Sequence, residues 1–164
     1  MADRELGFEM ARSSYPQYWV YEKRPVVLLV PPGGGMDCLA VNPRTGAFVR
    51  EMRYIAEINF NHDADFDEVS FEEFITAVER YRAQWGLGEG TVKVLYETMY
   101  GIEENARAQS RRPSPEEKAL LASLSKRTHP MFEEHLREQG LTGTPQPNPA
   151  PLRIARLFDS LDAS

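Results

Sequence analysis

The apolar residues of this chain change their period once, near residue 60, and that change limits the fold more than any single motif does. Before it, β-forming residues gather in short runs bounded by turn residues; after it, apolar positions recur at helical spacing. A run of strands followed by a run of helices predicts an α+β fold: a small, mostly antiparallel sheet packed by several α-helices. Tyr18-Trp-Val-Tyr-Glu22 and Val26-Val-Leu-Leu-Val30, parted by Lys23-Arg24-Pro25, form the first antiparallel pair. Pro31-Pro-Gly-Gly-Gly35 cannot continue a strand, because proline lacks the donor and glycine has the largest ordering cost. Cys38–Val41 and Ala47–Arg50 flank Asn42-Pro-Arg-Thr-Gly46, a turn in which Gly46 supplies positive φ, and make a second hairpin. From Met52 to Phe60 alternation is broken only by Ile55, which predicts a last strand. Met52, Ile55 and Asn59 also space helically, so a helix is the alternative there.

Ser70 and Glu73 make a capping box, and Phe71, Phe74, Ile75, Val78 and Tyr81 follow on one stripe until Trp85-Gly86. A second helix starts at Thr91 and passes Leu95, Met99 and Ile102. Ser114, Pro115 and Glu117 open a third, which runs to about Ser125. His129-Pro130 starts another short helix through Phe132 and Leu136, which Gly140 ends. The first dozen residues suggest a short helix capped by Asp3, broken at Tyr15-Pro16. In domain terms, residues 1–140 form a single α+β domain. Residues 141–151, with prolines at 145, 147, 149 and 151, form an extended linker. Residues 152–164 form an amphipathic helix that docks on the domain or on a partner.

Cys38 is the only cysteine, which excludes an internal disulfide and a multi-thiolate zinc site and favours a reducing, cytoplasmic setting. The longest apolar run is Val26–Val30, too short to cross a membrane. The net charge is −6, and between Asp63 and Glu79 the acids Asp63, Asp65, Asp67, Glu68, Glu72, Glu73 and Glu79 occur without a Lys or Arg. Such a run repels nucleic acid and attracts a basic protein, although solvated loops are often acidic for solubility alone. The EF-hand pattern fails in both registers. With Asp63 first, Glu68 stands where Gly is needed and Phe74 where Glu is needed; with Glu73 last, Ala64 and Phe66 occupy ligand positions. An irregular calcium site on Asp63, Asp65 and Asp67 is the residual alternative to a solvated loop.

Other chemistry is sparse. His129 and His135 are six apart, not the four that places two ligands on one helical face, and both read as surface residues; His62 reads as a charge partner in the acidic loop. Gly33-Gly-Gly35 lacks the Lys-Ser or Lys-Thr of a phosphate loop, and Cys38 sits among apolar neighbours in a strand. No serine lies in a Gly-x-Ser-x-Gly elbow. These readings point away from an enzyme and imply no cofactor and no metal. Tyr15, Tyr18, Trp19 and Tyr21 include rings that alternation would leave at the surface, where aromatics serve as binding anchors.

Residues 15–82, through the Tyr18–Glu22 strand, the Leu39-Ala-Val-Asn-Pro-Arg-Thr-Gly46 strand and turn and the helix at Ser70, resemble small bacterial immunity proteins, in particular the YrhB-like group. The resemblance implies stoichiometric binding of a cognate toxin without chemistry and transfers no site residue. The partner surface expected here comprises Asp63, Asp65, Asp67, Glu68, Glu72 and Trp19, facing a basic toxin or effector. A bacterial adaptor or secretion chaperone with an apolar groove is the alternative, and an enzyme of unfamiliar design the third.

Overall fold

The computed structural model describes residues 15–61 and 65–147. The helices expected in the first dozen residues and over 152–164, together with His62 and Asp63, lie outside them. The fold is α+β. Strands β1 (Gln17–Tyr21), β2 (Arg24–Leu29), β3 (Asp37–Val41), β4 (Phe48–Arg50) and β5 (Phe66–Val69) form one antiparallel sheet in the order β4-β3-β2-β1-β5. Helix α1 (Arg53–Phe60) interrupts the strands, and α2 (Phe71–Gln84), α3 (Gly90–Ala108) and α4 (Pro115–Glu138) follow them. No helix among the described residues is long and apolar enough to cross a membrane.

Both predicted hairpins form. The sheet is covered on both faces, which is why Val26, Val27 and Leu28 of its central strand β2 are buried in succession. On one face Tyr18, Val27, Val41 and Phe48 meet Phe74, Val78 and Tyr81 of α2. On the other, Val26, Leu28, Cys38 and Ala40 meet Tyr54 of α1, with Trp19, Tyr21, Ile55 and Ile58 at the margin. A third cluster lies within the helices: Ala83 of α2, Val92, Tyr96 and Met99 of α3, and Leu121, Phe132 and Leu136 of α4. The β3–β4 turn inserts into this cluster at Gly46. Its φ is +76°, and a Cβ there would stand 2.6 Å from the Phe132 ring, so only glycine fits.

Three expectations are corrected. Residues 53–60 are helix, not a last strand. Helical coiling turns Tyr54, Ile55 and Ile58 toward the sheet and leaves Met52, Ala56 and Phe60 exposed on the outer side. The acidic stretch expected as a loop supplies a strand instead, β5, which pairs with β1 through Tyr18↔Val69 and Tyr21↔Phe66. The two short helices expected around His129-Pro130 are one helix, α4, with Pro130 inside it. Leu121, Ser125, Thr128, Phe132 and Leu136 keep one buried stripe through the proline, and that packing offsets the lost hydrogen bond.

The helix starts behave as their cap residues require. Ser70 Oγ accepts from Glu73 N at 3.1 Å. At α4, Ser114 Oγ accepts from Glu117 N while the Glu117 carboxylate accepts from Ser114 N, a complete box with Pro115 at the first helical position. After Gly140, residues 142–145 contact the domain. Phe48 N donates to Thr142 O, Thr144 N to Glu133 Oε1 and Tyr18 Oη to Pro145 O. The segment thereby takes one backbone N–H of β4, an edge of the sheet, and runs on to Tyr18 of β1.

Candidate partner-binding site

The opposite edge is β5, and no strand of the described residues covers it. Its sequence, Phe66-Asp-Glu-Val69, alternates across the sheet. Asp67 is level with Val20 and Glu68 with Trp19, so the two exposed carboxylates project to opposite faces. Asp65 lies just before the strand, where its carbonyl accepts from Glu22 N at 3.0 Å; Glu22 turns there with a φ of 56°. Glu72 stands in the first turn of α2, exposed, with Lys126 of α4 at 3.1 Å from its carboxylate. Trp19 is half-buried under α1 with its Nε1 unpartnered. Of the expected partner residues, then, Asp65, Asp67 and Glu68 share one sheet edge, Glu72 is already ion-paired, Trp19 belongs to the lesser sheet-face core, and Asp63 lies outside the described residues.

Next to Asp65 the surface opens into a cleft of about 520 Å3 whose walls include Tyr21, Tyr54, Tyr81 and Trp85. Tyr21 stacks on Phe66 at 4.4 Å, Tyr54 stands 5.5 Å from Tyr21, and Tyr81 lies 6.2 Å from Trp85. Trp85 is 52% exposed. Arg24 crosses the floor: its Nε donates to Val41 O, Nη1 to Tyr54 Oη and Nη2 to Glu51. Rigid aromatic rings with a fixed guanidinium are the side chains that anchor protein interfaces. The sequence pattern singled out Tyr21 but not Tyr54, Tyr81 or Trp85, which are distant in the chain and meet only when α1 and α2 pack on opposite faces of the sheet.

The other concentration of polar groups is internal. Glu79 of α2 is fully buried. Its Oε1 accepts from Tyr96 Oη (2.7 Å) and Thr128 Oγ1 (2.6 Å); its Oε2 accepts from Arg82 Nη1 (2.8 Å) and lies 3.2 Å from His129 Nδ1. Arg82, equally buried, also donates to Gly46 O and Glu133 Oε2 and stacks on Phe132 at 4.4 Å. His129 is therefore not the surface residue expected but a buried partner of Glu79. His135 is half-buried against Phe132. Burial pushes the Glu79 carboxyl up, but the contacts from His129, Arg82 and Thr128 outweigh it and hold the group below its ordinary value. Every oxygen of this carboxylate is taken by protein donors, so the cluster fastens helices and leaves no lone pair directed at a substrate. The Cys38 thiol is buried in the sheet and pushed up to about 12, by burial first and then by the Asp37 and Glu51 charges, with Arg24 opposing. It stays a protonated packing group. Among the described residues no three His, Cys, Asp or Glu side chains are grouped to share a metal ion.

Comparison with family models, curated proteins and solved structures gave no match.

Proposed function

We propose that the protein is a non-enzymatic binding module of the immunity type, acting in a bacterial cytoplasm, which neutralises a basic toxin by direct one-to-one contact. The observation that carries this reading is the open edge strand β5, with acidic side chains on both faces, lying beside the Tyr21–Tyr54–Tyr81–Trp85 cleft. An edge that no strand of the described residues covers offers backbone pairing to an incoming strand, the carboxylates steer a basic partner, and Trp85 with the half-buried Tyr21 supplies anchoring area, held in place by the buried Tyr54 and Tyr81. The test is survival of cells making basic nuclease toxins with and without this protein, followed by calorimetry on any toxin neutralised. A one-to-one complex that weakens with salt is expected. Trp85→Ala should weaken it at least about tenfold, as loss of an aromatic anchor does. Asp65→Asn with Asp67→Asn and Glu68→Gln should slow association. Absence of protection across the toxins, or binding indifferent to all four changes, counts against it.

A second reading, an adaptor or secretion chaperone, draws on the outer side of α1, where Met52 (46%) and Phe60 (81%) are exposed in line with Ala56. Dimerisation or client binding that persists at high salt and is lost in Phe60→Ser would favour it.

A further inference from the structure

Despite its acidic balance, the molecule holds a cationic cleft. Lys23 at the β1–β2 turn, Arg80 of α2, Arg107 of α3, and Arg111 and Arg112 of the α3–α4 connection line a cavity of about 490 Å3 together with Glu103. Carboxylates fix three of these side chains. Arg80 donates from Nε (2.7 Å) and Nη2 to one oxygen of Glu103, Arg107 pairs with Glu104 at 2.8 Å, and Arg111 Nη1 and Nη2 reach the Glu117 carboxylate at 2.5 and 3.4 Å. A guanidinium has five N–H donors, so the Arg80 and Arg107 pairs orient their forks and leave donors over, whereas Arg111, which also donates Nε to Gln109 Oε1 and Nη1 to Arg112 O, keeps one N–H. Lys23 and Arg112 are exposed, and no carboxylate of the described residues is ion-paired with either. Five cations against these three carboxylates and Glu22 beside Lys23 leave the cleft net positive, and a concave wall focuses that field.

We propose that this cleft binds a small phosphate-bearing anion. Lys23 and Arg112 make its direct ion pairs, while Arg80 and Arg107 contribute donors that their carboxylates leave free and Arg111 its one remaining N–H. Phosphate suits the site because its oxygens accept from several guanidinium forks at once, and the volume is that of a small-molecule pocket. A long polyanion suits it poorly: Glu22 adjoins Lys23, and Asp65 and Asp67 stand just beyond on the neighbouring edge, where they repel an extended phosphate backbone.

The test is calorimetric titration of the full chain at low ionic strength with tripolyphosphate, inorganic phosphate and ATP in separate arms. Saturable one-to-one binding of tripolyphosphate is expected. The exposed pair Lys23→Gln and Arg112→Gln should weaken it at least about tenfold, the worth of a charge-assisted contact. Arg44→Gln with Arg137→Gln, which removes equal charge elsewhere on the surface, should change it less than about twofold. ATP binding more tightly than tripolyphosphate would identify a nucleotide; equal binding would identify the phosphates alone as the ligand group. Amide shifts on adding tripolyphosphate should centre on Lys23, Arg111 and Arg112, a readout independent of whether the variants fold. No saturable binding, equal weakening by both pairs of changes, or shifts centred elsewhere would overturn the proposal.

Discussion

Glu79 shows how strongly one buried charge can depend on its surroundings. It lies at the junction of α2, α3 and α4, and its four neighbours come from all three helices. Glu79→Ala would leave Arg82 buried with only Glu133 and the Gly46 carbonyl as polar partners, and should cost roughly 3 to 5 kcal/mol in urea unfolding. The pH dependence has a definite sign. The folded-state pKa of Glu79 is lowered, so its stabilisation is complete above the unfolded carboxyl value of about 4.3 and is lost as pH falls through the lower folded value. Unfolding free energy measured from neutral pH down into that range should decline, and less steeply in Glu79→Gln. None of this was legible in the sequence. Glu79 looked like the last member of an acidic run and His129 like a surface imidazole beside a proline, because a one-dimensional pattern does not show which charges will meet 50 residues apart.

At the scale of elements, Pro130 is the informative case. Its ring is exposed and its missing N–H leaves a gap in the ladder of α4, yet the helix continues for two further turns. Pro130→Ala should restore the bond and raise stability by about 1 to 3 kcal/mol, read as a higher denaturation midpoint with an unchanged slope. No change or a decrease would mean that the proline sets a bend on which the Phe132 and Leu136 packing depends. The same contest between local preference and tertiary packing separates the elements that sequence reasoning recovered from those it missed. The two hairpins and the starts of α2 and α4 were legible because turn and cap chemistry is local. Helix α1 was missed because Met52, Ala56 and Phe60 mimic strand alternation although they end up exposed. Strand β5 was missed because an acidic segment has low strand propensity, and only the vacant edge of β1 makes it one. The aromatic cleft depends on both of these elements, and so was hidden with them.

On the scale of the whole molecule, the two sheet edges are treated differently. Thr142 takes the Phe48 N–H at the β4 edge, while no strand of the described residues covers β5 beside its cleft. The closing contacts reach three separate parts of the fold: Thr142 to the β4 backbone, Thr144 to Glu133 and so to the Glu79–Arg82 cluster, and Pro145 to Tyr18 in the sheet core. Tyr18 burial supports the same picture, since it pushes the phenol up to about 12 and keeps the hydroxyl a donor to that carbonyl. A chain ending at Gly140 should therefore lose about 3 to 5 kcal/mol, four hydrogen bonds including that from Leu141 N to Leu136 O, of which one engages a charged carboxylate. It should also expose Phe48 N–H on a second free edge and associate as concentration rises. Urea unfolding and sedimentation of the shortened and full chains measure the two effects separately. Loss of stability without association would mean that β4, three residues long, is too short to template pairing, leaving β5 as the one edge able to accept a partner strand. Unchanged stability would show that residues 142–145 contact the domain without holding it together.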